Sequence, residues 1–93
     1  MQIKRVAVAG TLESSDIMVT VLPNAAGIHI ELTSSVEKYY GDSIQETIRQ
    51  VLSQMDVKSA GVNAVDHGAL DCTIRARVTT AVRRAAAGEG AAI

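Results

Sequence analysis

Two adjacent serines, Ser14 and Ser15, lie in a short polar segment between two apolar runs. The segment reads AGTLESSD at residues 9–16, so a Gly-Thr pair precedes the serines and an acidic residue follows them. A primary hydroxyl in an exposed loop suits a modifying transferase, because the serine oxygen must attack a phosphorus atom in line, with room around it. The alternative is an ordinary polar turn in which a serine or aspartate side chain satisfies backbone groups. The residue types alone leave both interpretations open.

A second candidate hydroxyl belongs to Ser43, in the segment GDSI at residues 41–44. It is similar to the Asp-Ser-Leu attachment site of conventional acyl carrier proteins, where phosphopantetheine joins a serine at a helix N-terminus and the N–H groups favour a phosphate. Those carriers resemble all-helical, strongly acidic bundles, whereas strand patterns precede Ser43 here and the net charge is −1. Asp42 and Ser43 are more simply interpreted as residues that start a helix.

The remaining reactive side chains show no catalytic spacing. His67 lies in a predicted turn and His29 on the outward face of a predicted strand, and neither has a second ligand at diagnostic spacing, so no metal site is expected. Cys72 falls on the inward side of a predicted strand and is expected to be a buried, inert thiol. No P-loop or nucleophile elbow is present, so we expect no catalytic residue.

The charge distribution adds one cluster, formed by Arg75, Arg77, Arg83 and Arg84. It could meet phosphates on a cofactor or an acidic partner, or it could be a solvated face whose cations favour a helix C-terminus. The chain as a whole carries 9 basic and 10 acidic residues, so it has no excess of positive charge that would attract nucleic acid or a membrane surface. A lone cysteine indicates a reducing compartment, so we expect a cytoplasmic location.

The 93 residues predict one small domain, with residues 89–93 as a flexible tail after a domain at 1–88. Strands are predicted at residues 3–9, 16–22 and 28–33, the last with Ile28, Ile30 and Leu32 facing inward. Apolar residues then recur at helical spacing, which predicts a helix from about Asp42 to Met55.

The second half of the chain predicts a strand at residues 61–65, a hairpin turn around Gly68 and a return strand at 70–76. A second helix is predicted from about Val78 through Ala87, where alanine and arginine dominate. The order β-β-β-α-β-β-α predicts an α+β fold, a mainly antiparallel sheet with two helices on one face.

Three segments together resemble the citrate lyase acyl carrier protein, the gamma subunit of that enzyme. They are AVAGTLESSDIMV at residues 7–19, SSVEK at 34–38 with GDSI at 41–44, and DHGALDCTIRAR at 66–77. The likeness covers nearly the whole chain. The first and third segments are specific as a pair, because no generic fold requires them in that order.

This resemblance implies a role for Ser14. The carrier serine of the family lies in its GTLES motif, which here ends at Ser14, while Ser15 replaces the small non-hydroxyl residue of many relatives. The implied group is phosphoribosyl dephospho-coenzyme A, joined through a phosphodiester and carrying acetyl on its thiol. An alpha subunit would exchange acetyl for citrate, and a beta subunit would cleave the citryl thioester to oxaloacetate. The resemblance also implies a prosthetic-group transferase and an acetylating ligase as partners of this non-catalytic carrier.

Three alternatives remain at this point. The carrier subunit of malonate decarboxylase uses a closely similar arm, although the DHGALDC run favours citrate lyase. A conventional phosphopantetheine carrier would use Ser43, and a small scaffold or regulatory module would carry no covalent group. The charges of Glu13 and Asp16, which flank the serines, are hypothesised to repel the phosphates of an arm and keep it extended.

Overall fold

The computed structural model describes residues 1–34 and 37–87, with side chains from residue 40 onward in the second stretch. The α+β class is confirmed. The elements in chain order are β1 (Ala7–Gly10), β2 (Ile17–Leu22), β3 (Ile28–Ser34), α1 (Glu37–Gln54), β4 (Ala60–Asp66) and α2 (Asp71–Ala86).

The four strands form one mixed sheet in the order β1-β2-β4-β3. β2 pairs antiparallel with both β1 and β4, whereas β3 pairs parallel with β4. The parallel pairing follows from the connection between these two strands, since α1 lies between them and parallel neighbours need a crossover of this kind. In the strand order β1-β2-β4-β3, β1 and β3 are the two edge strands. The loop after β1 lies at the same end of the sheet as the C-terminal ends of β3 and β4.

Both helices pack on one face of the sheet, as predicted. The residues of β2 that point to this face are completely buried, namely Ile17, Val19 and Val21. They form a single apolar core with residues of β4 and of both helices, among them Ile48, Leu52, Val62, Val78 and Val82. The predicted alternation in β3 is confirmed, because its His29, Glu31 and Thr33 side chains are exposed. Neither helix is long and apolar enough to span a bilayer within the described residues.

The predicted return strand at residues 70–76 is wrong, because this segment is the start of α2. The buried residues of α2 are spaced as on one face of a helix: Ile74, Val78, Ala81, Val82 and Ala85. Gly68 has the positive φ expected of it, 87°. However, Gly68 and Ala69 both donate their N–H groups to the carboxylate of Asp66, and this turn leads into a helix. Cys72 is therefore on the helix surface and exposed, so the expected buried thiol is also wrong.

The start of α1 and the extent of β1 differ from the sequence prediction. α1 begins at Glu37 instead of near Asp42. β1 is shorter than predicted, because the N–H groups of Lys4 and Arg5 bond to the carbonyl of Ala85 in α2 and not to a strand. The predicted tail at residues 89–93 lies outside the described residues.

Candidate functional site

The loop between β1 and β2 presents two exposed serines at one end of the sheet. Ser14 and Ser15 both lie on the surface, next to the exposed side chains of Leu12 and Glu13. No hydrogen bond joins the Ser14 hydroxyl to any other described residue. Ser14 therefore offers an accessible oxygen that an incoming group can reach without displacing a partner.

The entry to the loop depends on Gly10. Its φ is +95°, which residues with a side chain rarely adopt. A Cβ atom at this position would lie 1.9 Å from the carbonyl oxygen of Ile17, so the two strands meet too closely here for a side chain. The glycine of the GTLES motif is thus a structural requirement of the turn.

The exit from the loop is fixed by an ion pair between Asp16 and Arg77 of α2. The guanidinium donates from Nε to one Asp16 carboxylate oxygen at 3.0 Å and from Nη2 to the other at 2.9 Å. The Thr11 hydroxyl and the Ile17 N–H also donate to this carboxylate, at 2.7 and 2.8 Å. The Arg77 hydrogen bonds, followed by that of Thr11, hold the pKa of Asp16 well below its usual range. The carboxylate therefore stays ionised and ties both ends of the loop to α2.

A second set of bonds ties the loop to the turn that follows β4. The N–H of Ser15 donates to the carbonyl of His67 at 2.8 Å, and the N–H of His67 donates to the carbonyl of Asp16 at 2.9 Å. These bonds extend the antiparallel pairing of β2 and β4 beyond Ile17 and Asp66. Ser15 has a φ of 63°, so its backbone turns sharply while its N–H is held. Ser14, one residue earlier, is presented on a fixed backbone.

Asp66 organises the neighbouring turn from a buried position, with 1% of its surface exposed. It accepts hydrogen bonds from the Ser34 hydroxyl at 2.8 Å and from the N–H groups of Gly68 and Ala69 at 3.1 and 3.0 Å. The structure thus joins the three segments that carry the resemblance: Asp16 bonds the first to the third, and Ser34 bonds the second to the third. Sequence reasoning missed the roles of Asp16, Asp66 and Arg77, since nothing in their spacing shows that they meet.

The other candidate residues lie apart from this loop. Ser43 is exposed in the second turn of α1, beyond the first four N–H groups of the helix. His67 is exposed, as expected, and His29 contacts Glu31 at 3.3 Å on the outer face of β3. No three potential metal ligands cluster within the described residues.

The arginine cluster is divided between separate tasks. Arg75 bonds Asp71 at 2.7 Å and Gln50 at 2.7 Å, and this contact with Arg75, followed by the Thr47 hydroxyl, lowers the pKa of Asp71. Arg84 donates to the carbonyl of Val8 on the edge strand β1 at 2.8 Å. Arg75, Arg77 and Arg84 therefore each stabilise a different part of the structure, whereas Arg83 is exposed.

Comparison with known proteins assigns this architecture to a family. The family model described as "Malonate decarboxylase delta subunit (MdcD)" matches residues 4–85. A citrate lyase acyl carrier protein from Streptococcus mutans is 60% identical over 92% of this chain and 85% of its own length. Proteins of the same name from Latilactobacillus sakei and Halothermothrix orenii are 52% and 51% identical, over 90% and 95% of this chain and 83% and 94% of their own lengths.

The fold also occurs in a solved structure. A chain of a Pseudomonas malonate decarboxylase hetero-tetramer, crystallised in complex with malonate, superposes with a TM-score of 0.77 over 88% of this chain and 84% of that chain. The two share 19% sequence identity, so this likeness concerns the fold. The identity shared with the curated relatives extends over nearly the whole sequence, and the chain accordingly belongs to the citrate lyase acyl carrier protein family.

Proposed function

We propose that the chain is the acyl carrier subunit of a citrate lyase, with Ser14 as the residue that carries the acyl-bearing arm. The observation that carries this proposal is the exposed Ser14 hydroxyl, which has no hydrogen-bond partner among the described residues. The backbone around it is fixed on both sides, by Asp16 with Arg77 and by Ser15 with His67. A rigid loop with a free hydroxyl suits in-line attack on a phosphate held by a transferase.

The site fits a phosphodiester to phosphoribosyl dephospho-coenzyme A, the group that the family resemblance implies. Ser14 would hold it through the serine oxygen, and the group would supply a thiol on a long arm that bears the acyl chain as a thioester. The Asp16 charge next to the attachment point is balanced by Arg77, so it does not repel the phosphates of such an arm strongly. Glu13 is exposed and forms no ion pair with another described residue, so the hypothesis of repulsion rests on this residue alone.

The chain's own contribution is to hold and present the arm. A tethered acyl group has an effective concentration on the order of millimolar near any active site that the tether reaches. We infer that alpha and beta subunits of the lyase supply those active sites, and that a transferase and an acetylating ligase load the arm. The chain supplies a fixed loop and a folded body, and the proposal assigns it no proton transfer. The lone thiol of Cys72 is exposed, which favours the reducing cytoplasm as its location.

Two alternatives receive less support. The curated relatives at 51–60% identity carry the citrate lyase name, whereas the malonate decarboxylase chain is 19% identical. Conventional carriers attach phosphopantetheine at a helix N-terminus, but Ser43 follows the first residue of α1 by more than one turn. At this position the Ser43 hydroxyl is not next to the N–H groups of the first helical turn, which are the groups that would favour a phosphate.

The test is the mass of the chain isolated from cells that contain the loading enzymes, followed by mapping of the modified peptide. We expect an addition of the size of phosphoribosyl dephospho-coenzyme A on the peptide that contains Ser14. Ser14→Ala should abolish the addition, while Ser15→Ala and Ser43→Ala serve as matched controls that retain it. A modified Ser14→Ala chain, or full citrate cleavage by a lyase reconstituted with it, would contradict the proposal. Malonate turnover with the neighbouring subunits would favour the decarboxylase instead.

A further inference from the structure

A groove of about 360 Å³ lies beside the Ser14 loop, between the first turns of α1 and the start of α2. Its lining is mainly apolar and includes Tyr40, Ile44, Ala69 and Leu70. Two of these large side chains are mostly open to solvent, since Tyr40 is 60% and Leu70 68% exposed. Pockets that take small ligands have volumes of roughly 300–1,000 Å³, so this groove is large enough for one compact group.

The groove adjoins the turn to which the Ser14 loop is hydrogen-bonded. The carbonyl of His67 holds the N–H of Ser15, and the next two residues, Gly68 and Ala69, line the groove. A larger depression of about 610 Å³ lies at the opposite end of the sheet, beyond the C-terminus of α1, and is lined in part by Pro23 and Lys58. Of these two, the groove by α2 is therefore the one that a group tethered at Ser14 meets first.

We propose that this groove binds the adenine base of the arm carried by Ser14, an inference that rests on the proposed function. In phosphoribosyl dephospho-coenzyme A the phosphoribosyl unit joins the nucleoside end to the protein. The base therefore lies close to the attachment point, and the acyl-bearing thiol lies at the far end. Docking the base orders the first part of the arm and leaves the second part free to reach the partner subunits.

The chemistry of the groove suits a neutral base better than a phosphate. A flat ring can stack on Tyr40 and cover the exposed apolar surface of Leu70. The carboxylate of Asp71 stands at the rim, where it is paired with Arg75 and hydrogen-bonded by Thr47, and its oxygens can accept a further hydrogen bond from the amino group of a base. No described residue that lines the groove is a lysine or an arginine that could bind a phosphate. The exposed Ser43 hydroxyl on the α1 side can donate to or accept from the edge of the base.

Weak intrinsic affinity is sufficient for this arrangement. A flexible tether gives an effective concentration on the order of millimolar, so a base that binds with a dissociation constant of about 1 mM occupies the groove for much of the time. An arm held in this way moves through a smaller volume than one attached at Ser14 alone. The thioester would then be concentrated near the loop, where the partner subunits must dock.

Tyrosine fluorescence provides the test, because the chain has two tyrosines and no tryptophan. In a Tyr39→Phe background, Tyr40 is the single emitting residue, and its emission is compared between chains with and without the arm. We expect the arm to reduce Tyr40 emission, since the base stacks on the ring, and to shift the amide resonances of Gly68 and Ala69. Leu70→Asp should abolish both effects. The matched control is Val6→Asp, which alters a similarly exposed apolar residue, 61% open, just before β1.

The outcomes separate this inference from the proposed function. If mass shows the arm on Ser14 but Tyr40 emission and the two amides are unchanged, the groove inference is wrong and the carrier assignment stands. In a second measurement, which does not depend on the arm, free adenosine and free pantetheine are titrated separately into the unmodified chain. Adenosine alone should shift the Gly68 and Ala69 amides. Shifts caused by pantetheine in its place, or by raising the protein concentration alone, would overturn the inference in favour of the thiol end or a second copy of the chain.

Discussion

Replacing Gly10 with alanine should disrupt the Ser14 loop more than the small size of the added methyl group suggests. The new Cβ would lie 1.9 Å from the carbonyl oxygen of Ile17, well inside the contact distance, and the atom it meets is backbone. Holding a residue with a side chain at an unfavourable φ costs about 1–3 kcal/mol, and overpacking costs about a further 1–3 kcal/mol. The free energy of unfolding should therefore fall by about 2–6 kcal/mol. A domain of this size has roughly 5–14 kcal/mol in total, so the loss is a large share.

Gly27→Ala is the matched control for this prediction. Gly27 also has a positive φ, +85°, but no atom lies within 4 Å of the Cβ that alanine would add. Its cost should be limited to the backbone strain of about 1–3 kcal/mol. The difference between the two variants therefore isolates the clash with Ile17.

Urea unfolding followed by far-ultraviolet circular dichroism measures both variants. With a slope of about 2 kcal/mol per molar urea, a loss of about 3 kcal/mol lowers the midpoint by roughly 1.5 M. Because the loop carries Ser14, Gly10→Ala should also slow attachment of the arm under conditions where the chain is still folded. Equal midpoints for Gly10→Ala and Gly27→Ala would refute the reasoning, since the close contact would then have no energetic consequence.

Four further measurements test other parts of the structure. Because the pKa of Asp16 is lowered in the folded chain, the ionised carboxylate stabilises the fold at pH values above the ordinary carboxyl pKa, and this stabilisation is lost as the pH falls below that pKa. Asp16→Asn should therefore show a smaller fall in denaturation midpoint between about pH 6 and pH 3 than the parent chain. Asp66→Ala removes the carboxylate that accepts three hydrogen bonds and should lower the free energy of unfolding by about 2–4 kcal/mol. A thermal melt should show the midpoint temperature lowered by roughly 10 °C or more. An unchanged midpoint would contradict the assigned bonds. Cys72 should react stoichiometrically with a thiol reagent in the native chain, whereas labelling that needs denaturant would indicate a buried thiol. Ile48→Ala, in the completely buried part of α1, should cost about 2–5 kcal/mol by denaturant unfolding, and a cost near zero would place this helix face outside the core.

The strands and the first helix were predictable because their patterns are unambiguous over several residues. β3 alternates along its whole length, and the apolar residues of α1 recur at helical spacing over four turns. The strand prediction for residues 70–76 failed for a physical reason. Leu70 and Ile74 are four residues apart, a spacing that fits one face of a helix as well as one face of a strand. The continuation through Val78 and Val82 carries the helical period, but the turn at Gly68 was interpreted as a hairpin.

Of the candidate site, only the exposed loop that contains Ser14 was predictable. The motif places a hydroxyl in a loop, but the bonds that fix this loop come from Arg77 and His67, which are more than 50 residues away in sequence. These contacts depend on α2 starting at Asp71 and on β2 lying next to β4. A sequence prediction that replaces the start of α2 with a strand cannot bring Arg77 to Asp16.

The amino terminus is a suitable point for immobilising this molecule on a surface. The ammonium group of Met1 bonds to the carbonyl of Asp56, after the end of α1, while Ser14 lies at the opposite end of the sheet. The 16 residues of α2 span roughly 24 Å between these two ends. A chain fixed to a sensor surface through its amino terminus would therefore present the serine loop outward, and the partners proposed above could be tested for binding to it without steric obstruction.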